Sequence, residues 1–210
     1  MACETFSRAL WCVLVLLTSV VLTLAFVTSY WVETKSSVLA LGYDSISLGL
    51  VYACLQRVGF EETCGQYGTG LQDIPVTSWR SAALFYGTGL FLAWLTFLLT
   101  LISFVKPSFK PALRHLMMGA FWLIVLGLFI FGASIGELKY HPNASIFQPC
   151  EGAGAFKPGS ACLLGDSGVI ACVGMGLCLV SASAGYFLDT DVPDHNEQEE
   201  QEAAQRKLSA

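Results

Sequence analysis

Two pairs of cysteines are spaced so that oxidation to disulfides is the chemistry the sequence favours. Cys54 and Cys64 form one pair and Cys150 and Cys162 the other, and each bond would close a ring of little more than ten residues. Such a closure stabilises a fold by roughly 3 kcal/mol in the chain-entropy model. Four cysteines allow three pairings, of which pairing between near neighbours is the simplest. We therefore predict the disulfides Cys54–Cys64 and Cys150–Cys162.

Zinc coordination and catalysis are the competing chemistries for these polar segments. No CxxC spacing occurs, and His141 is the only histidine near either cysteine pair, so we expect no metal site. The side chains there that could in principle form a catalytic site are scattered: Asp44, Glu61, Glu62, Asp73, His141, Glu151 and Asp166. No nucleophile elbow or phosphate-binding loop accompanies them. We therefore expect no catalytic residue and no cofactor.

One triplet, Asn143-Ala144-Ser145, has the sequence of an N-glycosylation acceptor. Asn143 follows the third apolar run of the chain closely, and proximity to the membrane lowers the efficiency of this modification. Glycosylation of Asn143 and an unmodified asparagine both remain open.

Four apolar runs must position these polar segments. The chain is 54% hydrophobic and 13% charged, whereas soluble domains carry about 25% charged residues. Four runs contain no ionisable residue: 9–30, 81–105, 116–136 and 167–188. A bilayer core of about 30 Å needs roughly 20 helical residues, so each run can span it as a helix. A cleaved signal peptide is the alternative for the first run, but its apolar core exceeds the about 7–15 residues of such a signal.

The charge distribution excludes several functions. Proton-coupled transporters, voltage sensors and intramembrane proteases normally need ionisable residues within their spans, and these four runs have none. The net charge of −5 comes largely from the last 22 residues, which hold seven of the sixteen acids. Because the rest of the chain is nearly neutral, a nucleic-acid partner is not expected.

Basic residues set the predicted orientation in the membrane. The short segment 106–115 contains three Lys or Arg residues and no acid, so the positive-inside rule places it in the cytoplasm. The other assignments follow: 1–8 and 189–210 are cytoplasmic, and 31–80 and 137–166 are extracellular, where disulfides form. We expect the acidic tail 189–210 to be disordered and the protein to lie in the plasma membrane.

The first extracellular segment is predicted to form a small antiparallel sheet. Apolar and β-branched residues separated by turn signals predict strands near 35–41 and 46–55, joined around residues 42–44. Cys54 would then reach Cys64 across a hairpin.

Trp31, Trp79 and Arg80 lie at the outer ends of the first two spans. Tryptophan at such positions usually forms an aromatic belt, and arginine at a helix end can extend to the lipid headgroups. We expect these three residues to anchor the protein in the bilayer, with contact to a partner protein as the alternative.

Small residues recur at four-residue spacing in two of the spans. Gly132 and Gly136 end the third, and Gly168, Cys172 and Gly176 lie in the fourth. Small residues let helices approach closely. We expect them to pack within the four-helix bundle, and a surface for a partner helix is the alternative.

The residue pattern resembles the claudin-like tetraspan superfamily. This resemblance is carried by Trp31, Gly49, Leu50, Cys54 and Cys64. Further positions are similar to the lipoma-HMGIC-fusion-partner-like tetraspan family: Cys64-Gly65-x-Tyr67, Ile74-Pro75, Trp79-Arg80, and Phe156-Lys157-Pro158-Gly159 between Cys150 and Cys162. The resemblance covers nearly all of residues 8–188. It implies a claudin-like four-helix transmembrane bundle with a small extracellular antiparallel β-sheet.

Two positions depart from these patterns. Val51 stands where claudins have Trp, which disfavours a tight-junction claudin. Asp166 stands where the nearer family often has Trp. Both lie at the predicted outer face, so they affect the choice of partner and leave the fold intact.

The resemblance implies a non-enzymatic auxiliary or scaffolding subunit beside channels, receptors or adhesion proteins. Its partners would be other integral membrane proteins and the lipid bilayer, and a homo-oligomer is also compatible with the sequence. The interface or anchoring candidates are Trp31, Gly49, Leu50, Trp79 and Arg80. A claudin-type component of cell junctions or adhesion is the main alternative, and catalysis or transport through the bundle is a third.

Overall fold

The fold combines four long helices with a small sheet. It was obtained as a computed structural model of the 210-residue chain, and it describes residues 2–34, 43–68, 70, 73–74, 76–104, 110–136, 154–157 and 162–189. The helices described are α1 (Ala2–Val27), α2 (Thr77–Ser103), α3 (Lys110–Ser134) and α4 (Asp166–Asp189). The strands described are β1 (Val32–Thr34), β2 (Tyr43–Leu48), β3 (Tyr52–Arg57), β4 (Thr63–Gln66) and β5 (Cys162–Leu164).

All four helices are long and apolar enough to cross a membrane, as the ionisable-free runs predict. Each helix satisfies its own backbone groups, which the hydrocarbon of a bilayer cannot do. The helices extend beyond the predicted runs, since α1 begins at Ala2 and α2 at Thr77. Arg8 and Arg80 therefore lie inside helices, because a charge-free run measures the hydrocarbon thickness and a helix can continue past it.

The helices pack most extensively as the pairs α2 with α3 and α1 with α4. Glycine makes the first pair possible. A Cβ atom at Gly127 would lie 2.9 Å from the backbone nitrogen of Tyr86, and one at Gly89 would lie 2.9 Å from the carbonyl oxygen of Ala120. Hydrogen bonds support the second pair, where Trp11 donates its indole N–H to the carbonyl oxygen of Ser181 at 2.8 Å.

The small residues singled out in the fourth span do not pack helices together. A Cβ atom at Gly168 would meet the side chain of Leu164 in β5, and one at Gly176 would meet nothing within 4 Å. Cys172 is exposed. The prediction of close packing within the bundle is therefore wrong for these three positions, because their four-residue spacing puts them on one face but does not say which face turns inward.

The sheet is antiparallel and has the strand order β4-β3-β2-β1-β5. Strand β5 comes from the segment before α4 and pairs with β1, with Val32 opposite Leu164. The same junction is reinforced by the backbone N–H of Gly165, which donates to the carbonyl of Trp31 at 2.9 Å. The sheet therefore joins the chain after α1 to the chain before α4.

The predicted strand at 46–55 is wrong in one respect, because the structure divides it into β2 and β3. The chain turns at residues 49–51, where the backbone N–H of Gly49 donates to the carbonyl of Tyr52 at 2.8 Å. The whole predicted strand at 35–41 and nearly all of the acidic tail at 189–210 lie outside the described residues.

Candidate partner-binding surface at the sheet

The β3–β4 hairpin is closed by a disulfide between Cys54 and Cys64, which confirms that prediction. The two residues stand directly opposite each other in the antiparallel ladder. The Ser29 hydroxyl, just after α1, donates to the sulfur of Cys54 at 2.7 Å. The bond therefore fixes the hairpin covalently and places its base against the end of α1.

Gly49 and Leu50 hold the sheet against the bundle. A Cβ atom at Gly49 would lie 2.7 Å from both the Cα of Ser29 and the carbonyl oxygen of Thr28, so only glycine fits. The Tyr67 hydroxyl donates to the Gly49 carbonyl at 2.9 Å, and Leu50 is fully buried. Gly49 and Leu50 therefore act inside the fold. Their enclosed positions do not favour a direct contact with a partner.

Trp31 and Trp79 are core residues beneath the sheet. Their side chains are 1% and 0% exposed, and each packs on the ring of Phe131, with centroid distances of 4.9 Å and 5.0 Å. Trp31 also meets Tyr86 edge-on. The expected lipid-facing aromatic belt is therefore wrong for both residues, because their rings turn inward and pack on Phe131 of α3.

Arg80 fixes the entry into α2. Its Nε donates to the carbonyl of Ile74 at 2.8 Å, in a partly buried position. This bond ties the segment before α2 to the start of the helix, where the N-cap residue Val76 provides no side-chain hydrogen bond. Contact of the Arg80 guanidinium with lipid headgroups stays a prediction.

Carboxylates gather where α1, the sheet and α4 meet. The Tyr30 hydroxyl donates to Glu62 at 3.0 Å, and this bond raises the pKa of Tyr30. Partial burial raises the pKa of Glu33, the negative charge of Asp166 raises it further, and a hydrogen bond from the backbone N–H of Asp166 opposes the shift. This region is acidic, and its charges are tied to the junction of three elements.

A second contact links the bundle to the segment between α3 and α4. The backbone N–H of Phe156 donates to the carbonyl of Gly132 at 2.7 Å, and the Phe156 ring lies where a Cβ of Gly132 would be. Phe156 has a φ of 58°, a left-handed conformation that is uncommon for a non-glycine residue. The expectation that Gly132 packs against a helix is therefore wrong, because Gly132 accommodates this aromatic ring.

Several predicted site residues fall at or beyond the edge of the described chain. Cys162 is disulfide-bonded, but Cys150 lies outside the described residues, so the pairing of these two stays a prediction. Asn143 also lies outside them. Cys54, Glu62 and Cys64 come close enough together for a metal site, yet the two sulfurs are bonded to each other and offer no thiolates.

The β3–β4 turn exposes two large apolar side chains that the sequence interpretation missed. Phe60 is 72% exposed and Val58 47% exposed. Gly59 lies between them with a φ of 77°. The sequence did contain a signal for this exposed position. Phe60 precedes two acids, Glu61 and Glu62, in a turn, and a water-exposed turn usually has a polar residue at such a position.

A family comparison covers almost all of this architecture. The family model described as lipoma HMGIC fusion partner-like protein matches residues 7–188. No curated protein shows a significant match to the chain. The matched range begins in α1, ends in α4 and contains the whole sheet. The chain is therefore a tetraspan membrane protein that belongs to the lipoma HMGIC fusion partner-like family.

Proposed function

We propose that this protein is a non-enzymatic auxiliary or scaffolding subunit that binds other integral membrane proteins. The observation that carries the proposal is the braced hairpin β3–β4, whose turn leaves the side chains of Phe60 and Val58 exposed on the surface of the protein. Large apolar groups exposed to water mark surfaces that associate with partners. Channels, receptors and adhesion proteins are the partner classes that the family resemblance favours.

The proposed orientation places the sheet outside the cell and both chain termini in the cytoplasm. The Cys54–Cys64 bond supports this orientation, since disulfides form and persist in oxidising compartments. The basic segment 106–115, which follows α2 and includes the first residues of α3, supports it independently. The plasma membrane is the proposed location.

A non-enzymatic role is supported by what three polar side chains near the sheet do. Glu62 accepts from Tyr30, the Asp73 carboxylate accepts from the backbone N–H of Gly70 at 3.0 Å, and Arg80 donates to Ile74. Each of these groups is engaged in holding the fold. A scaffold needs such a fixed surface, whereas a catalytic residue needs its reactive group directed at a substrate.

Native purification tests the proposal. The full-length protein, extracted from tissue in a mild detergent, should migrate as an assembly larger than the monomer with its detergent. The assembly should contain a second integral membrane protein in a fixed ratio. Recovery of the monomer alone at several detergent strengths would contradict the proposal.

A claudin-type role at cell junctions is the second candidate, favoured by the claudin-like arrangement of four helices and a sheet. Val51, which stands in the turn where claudins carry Trp, argues against it. Expression in cells that lack junctions separates the two candidates. Strand formation or clustering at cell contacts would favour the junction role, and uniform surface distribution would favour the auxiliary role.

A further inference from the structure

Strand β4 is an edge strand whose four residues are all exposed. Within the described sheet it pairs on one side only, with β3. The backbone N–H of Tyr67 donates to the carbonyl of Val51, which marks a hydrogen-bonded pair in the same register. Because such pairs alternate in an antiparallel ladder, the N–H and C=O groups of Cys64 and Gln66 point away from β3. The edge therefore offers a row of outward backbone donors and acceptors.

The hairpin tip beside this edge is apolar on one side and acidic on the other. Phe60 and Val58 are its exposed large apolar side chains, and Glu61 and Glu62 follow immediately. A third carboxylate, that of Asp73, lies against Gly68 just beyond the other end of β4. The edge thus has carboxylates at both ends, with Arg57 at the end of the neighbouring strand β3 and the aromatic side chain of Phe60 near the first.

This surface is rigid before any partner binds. The Cys54–Cys64 disulfide joins β4 to β3, the Thr63 hydroxyl donates to the carbonyl of Leu55 at 3.1 Å, and the Gln66 amide donates to the Tyr52 hydroxyl at 2.9 Å. A preorganised edge does not lose conformational freedom when it binds, which increases affinity. Natural edge strands are usually protected against pairing, and β4 carries no proline or lysine.

We propose that β4 binds an extended segment from the ectodomain of a different membrane protein, which adds to the sheet as a further strand. The segment carries basic residues toward both ends, opposite Glu61 and Asp73, and an apolar residue that packs on Phe60. Main-chain hydrogen bonds to Cys64 and Gln66 hold it, and the flanking side chains select it. This inference rests on the proposed auxiliary function and names the surface that performs it.

A second copy of the chain fits this edge poorly. Antiparallel self-pairing centred on Cys64 places Phe60 of one copy opposite Gly68 of the other, where no large apolar side chain is available. The same register brings Glu61 of one copy toward Asp73 of the other. Like charges on facing strands are destabilising, so charge complementarity favours a basic partner strand over self-association.

Photo-crosslinking from the hairpin tests the proposal in cells that express the full chain. Benzoylphenylalanine is placed at position 60, and in a matched control at position 163, where Leu163 is 49% exposed on the opposite edge strand β5. We expect position 60 to crosslink to an extended, basic ectodomain segment of another membrane protein, and position 163 not to reach it. Crosslinks from position 60 to lipid, to a second copy, to a helical or acidic segment, or to no protein would overturn the proposal.

One backbone variant and one charge variant, with a matched control, make the test specific for strand addition. Gln66→Pro removes an outward backbone N–H without removing a backbone bond to β3, and should lower the crosslink yield about tenfold; like Gln66→Ala, it also removes the side-chain bond to Tyr52. Gln66→Ala keeps that N–H and should leave the yield within about twofold. Glu61→Lys should lower it at least about threefold, because it reverses the charge that meets the basic segment. Equal yields in Gln66→Ala and Gln66→Pro, or in wild type and Glu61→Lys, would overturn the proposal.

Folding and the proposed function are checked in the same samples. Each variant must retain the Cys54–Cys64 disulfide, measured by mass spectrometry, and if Gln66→Pro does not, Glu61→Lys decides the test. A wild-type protein recovered only as a monomer refutes the auxiliary function itself. A large native assembly that persists in Glu61→Lys with an unchanged crosslink yield refutes only the role of β4.

Discussion

The indole N–H of Trp31 donates to the carbonyl oxygen of Ala25 at 2.7 Å, and this bond ties the fourth residue after α1 to the last turn of that helix. The last four carbonyls of a helix lack intrahelical partners, so the bond satisfies an acceptor that is otherwise costly to bury. Trp79 provides a contrast, because its Nε1 is buried and has no hydrogen-bond partner among the residues that the structure describes. The two buried tryptophans pack on the same Phe131 ring but differ in the hydrogen bonding of their indole N–H groups.

Trp31→Phe should destabilise the protein more than Trp79→Phe. The first substitution removes the bond to Ala25, leaving that carbonyl with only the Thr28 hydroxyl at 3.4 Å, and we expect a cost of about 1–2 kcal/mol beyond the lost packing. The second removes a donor that has no acceptor. Thermal unfolding of the two purified variants in one detergent measures the difference, and equal losses would contradict the assigned role of the Trp31 bond.

Gly49→Ala should disrupt the seating of the sheet on the bundle. The added methyl would lie 2.7 Å from backbone atoms of Ser29 and Thr28, which cannot rotate away, so we expect a loss of about 1–3 kcal/mol. Gly65→Ala is the matched control, since a Cβ there meets nothing within 4 Å. Melting temperature and surface delivery report the effect, and a Gly49→Ala protein as stable as Gly65→Ala would refute the close approach.

Cys64→Ala should destabilise the hairpin and cause retention before the cell surface. Loss of the ring closure costs roughly 3 kcal/mol in the chain-entropy model, and the β4 edge loses its covalent attachment to Cys54. Cys172→Ala removes an exposed free cysteine of α4 and serves as the control. Surface biotinylation measures delivery of both. Normal delivery of Cys64→Ala would remove the structural role of the bond.

Glu33→Gln should stabilise the protein at neutral pH. The raised pKa of Glu33 means that its charged form is disfavoured in the folded state by partial burial and by Asp166. The neutral carboxyl of Glu33 therefore destabilises the fold least below pH 4.5, which is the ordinary pKa of this group. The free energy of unfolding falls as the pH rises through the higher pKa of the folded state. Because the group is partly exposed, the gain at pH 7 should be on the order of 0.5 kcal/mol or less.

Unfolding measured between pH 4 and pH 7 checks this sign for Glu33. The difference between Glu33→Gln and wild type should shrink toward zero as the pH falls below about 4.5. The amide oxygen of Gln can still accept from the backbone N–H of Asp166. The variant therefore removes the charge of residue 33 and keeps this hydrogen bond. A stabilisation that grows at low pH would contradict the cause assigned to the shift.

Local sequence patterns predicted much of the fold. The length of each ionisable-free run matches the bilayer thickness, so four spanning helices follow from the sequence alone, and the short interval between Cys54 and Cys64 predicted their bond. Sequence did not reveal β5, because three residues at 162–164 become a strand only when β1 is beside them. It also did not show that Phe60 stays exposed while Trp79 does not.

The amino-acid sequence by itself determined the four apolar spans, the hairpin disulfide and the family, since each depends on spacing along the chain or on the types of neighbouring residues. Only the tertiary structure decided which way Trp31 and Trp79 turn, why Gly49 admits no side chain, and that β4 lies at an edge of the described sheet. Those properties depend on residues that are distant in sequence, such as Ser29 against Gly49 and Trp31 against Phe131. Burial is set by what covers a side chain, and a linear pattern does not contain that information.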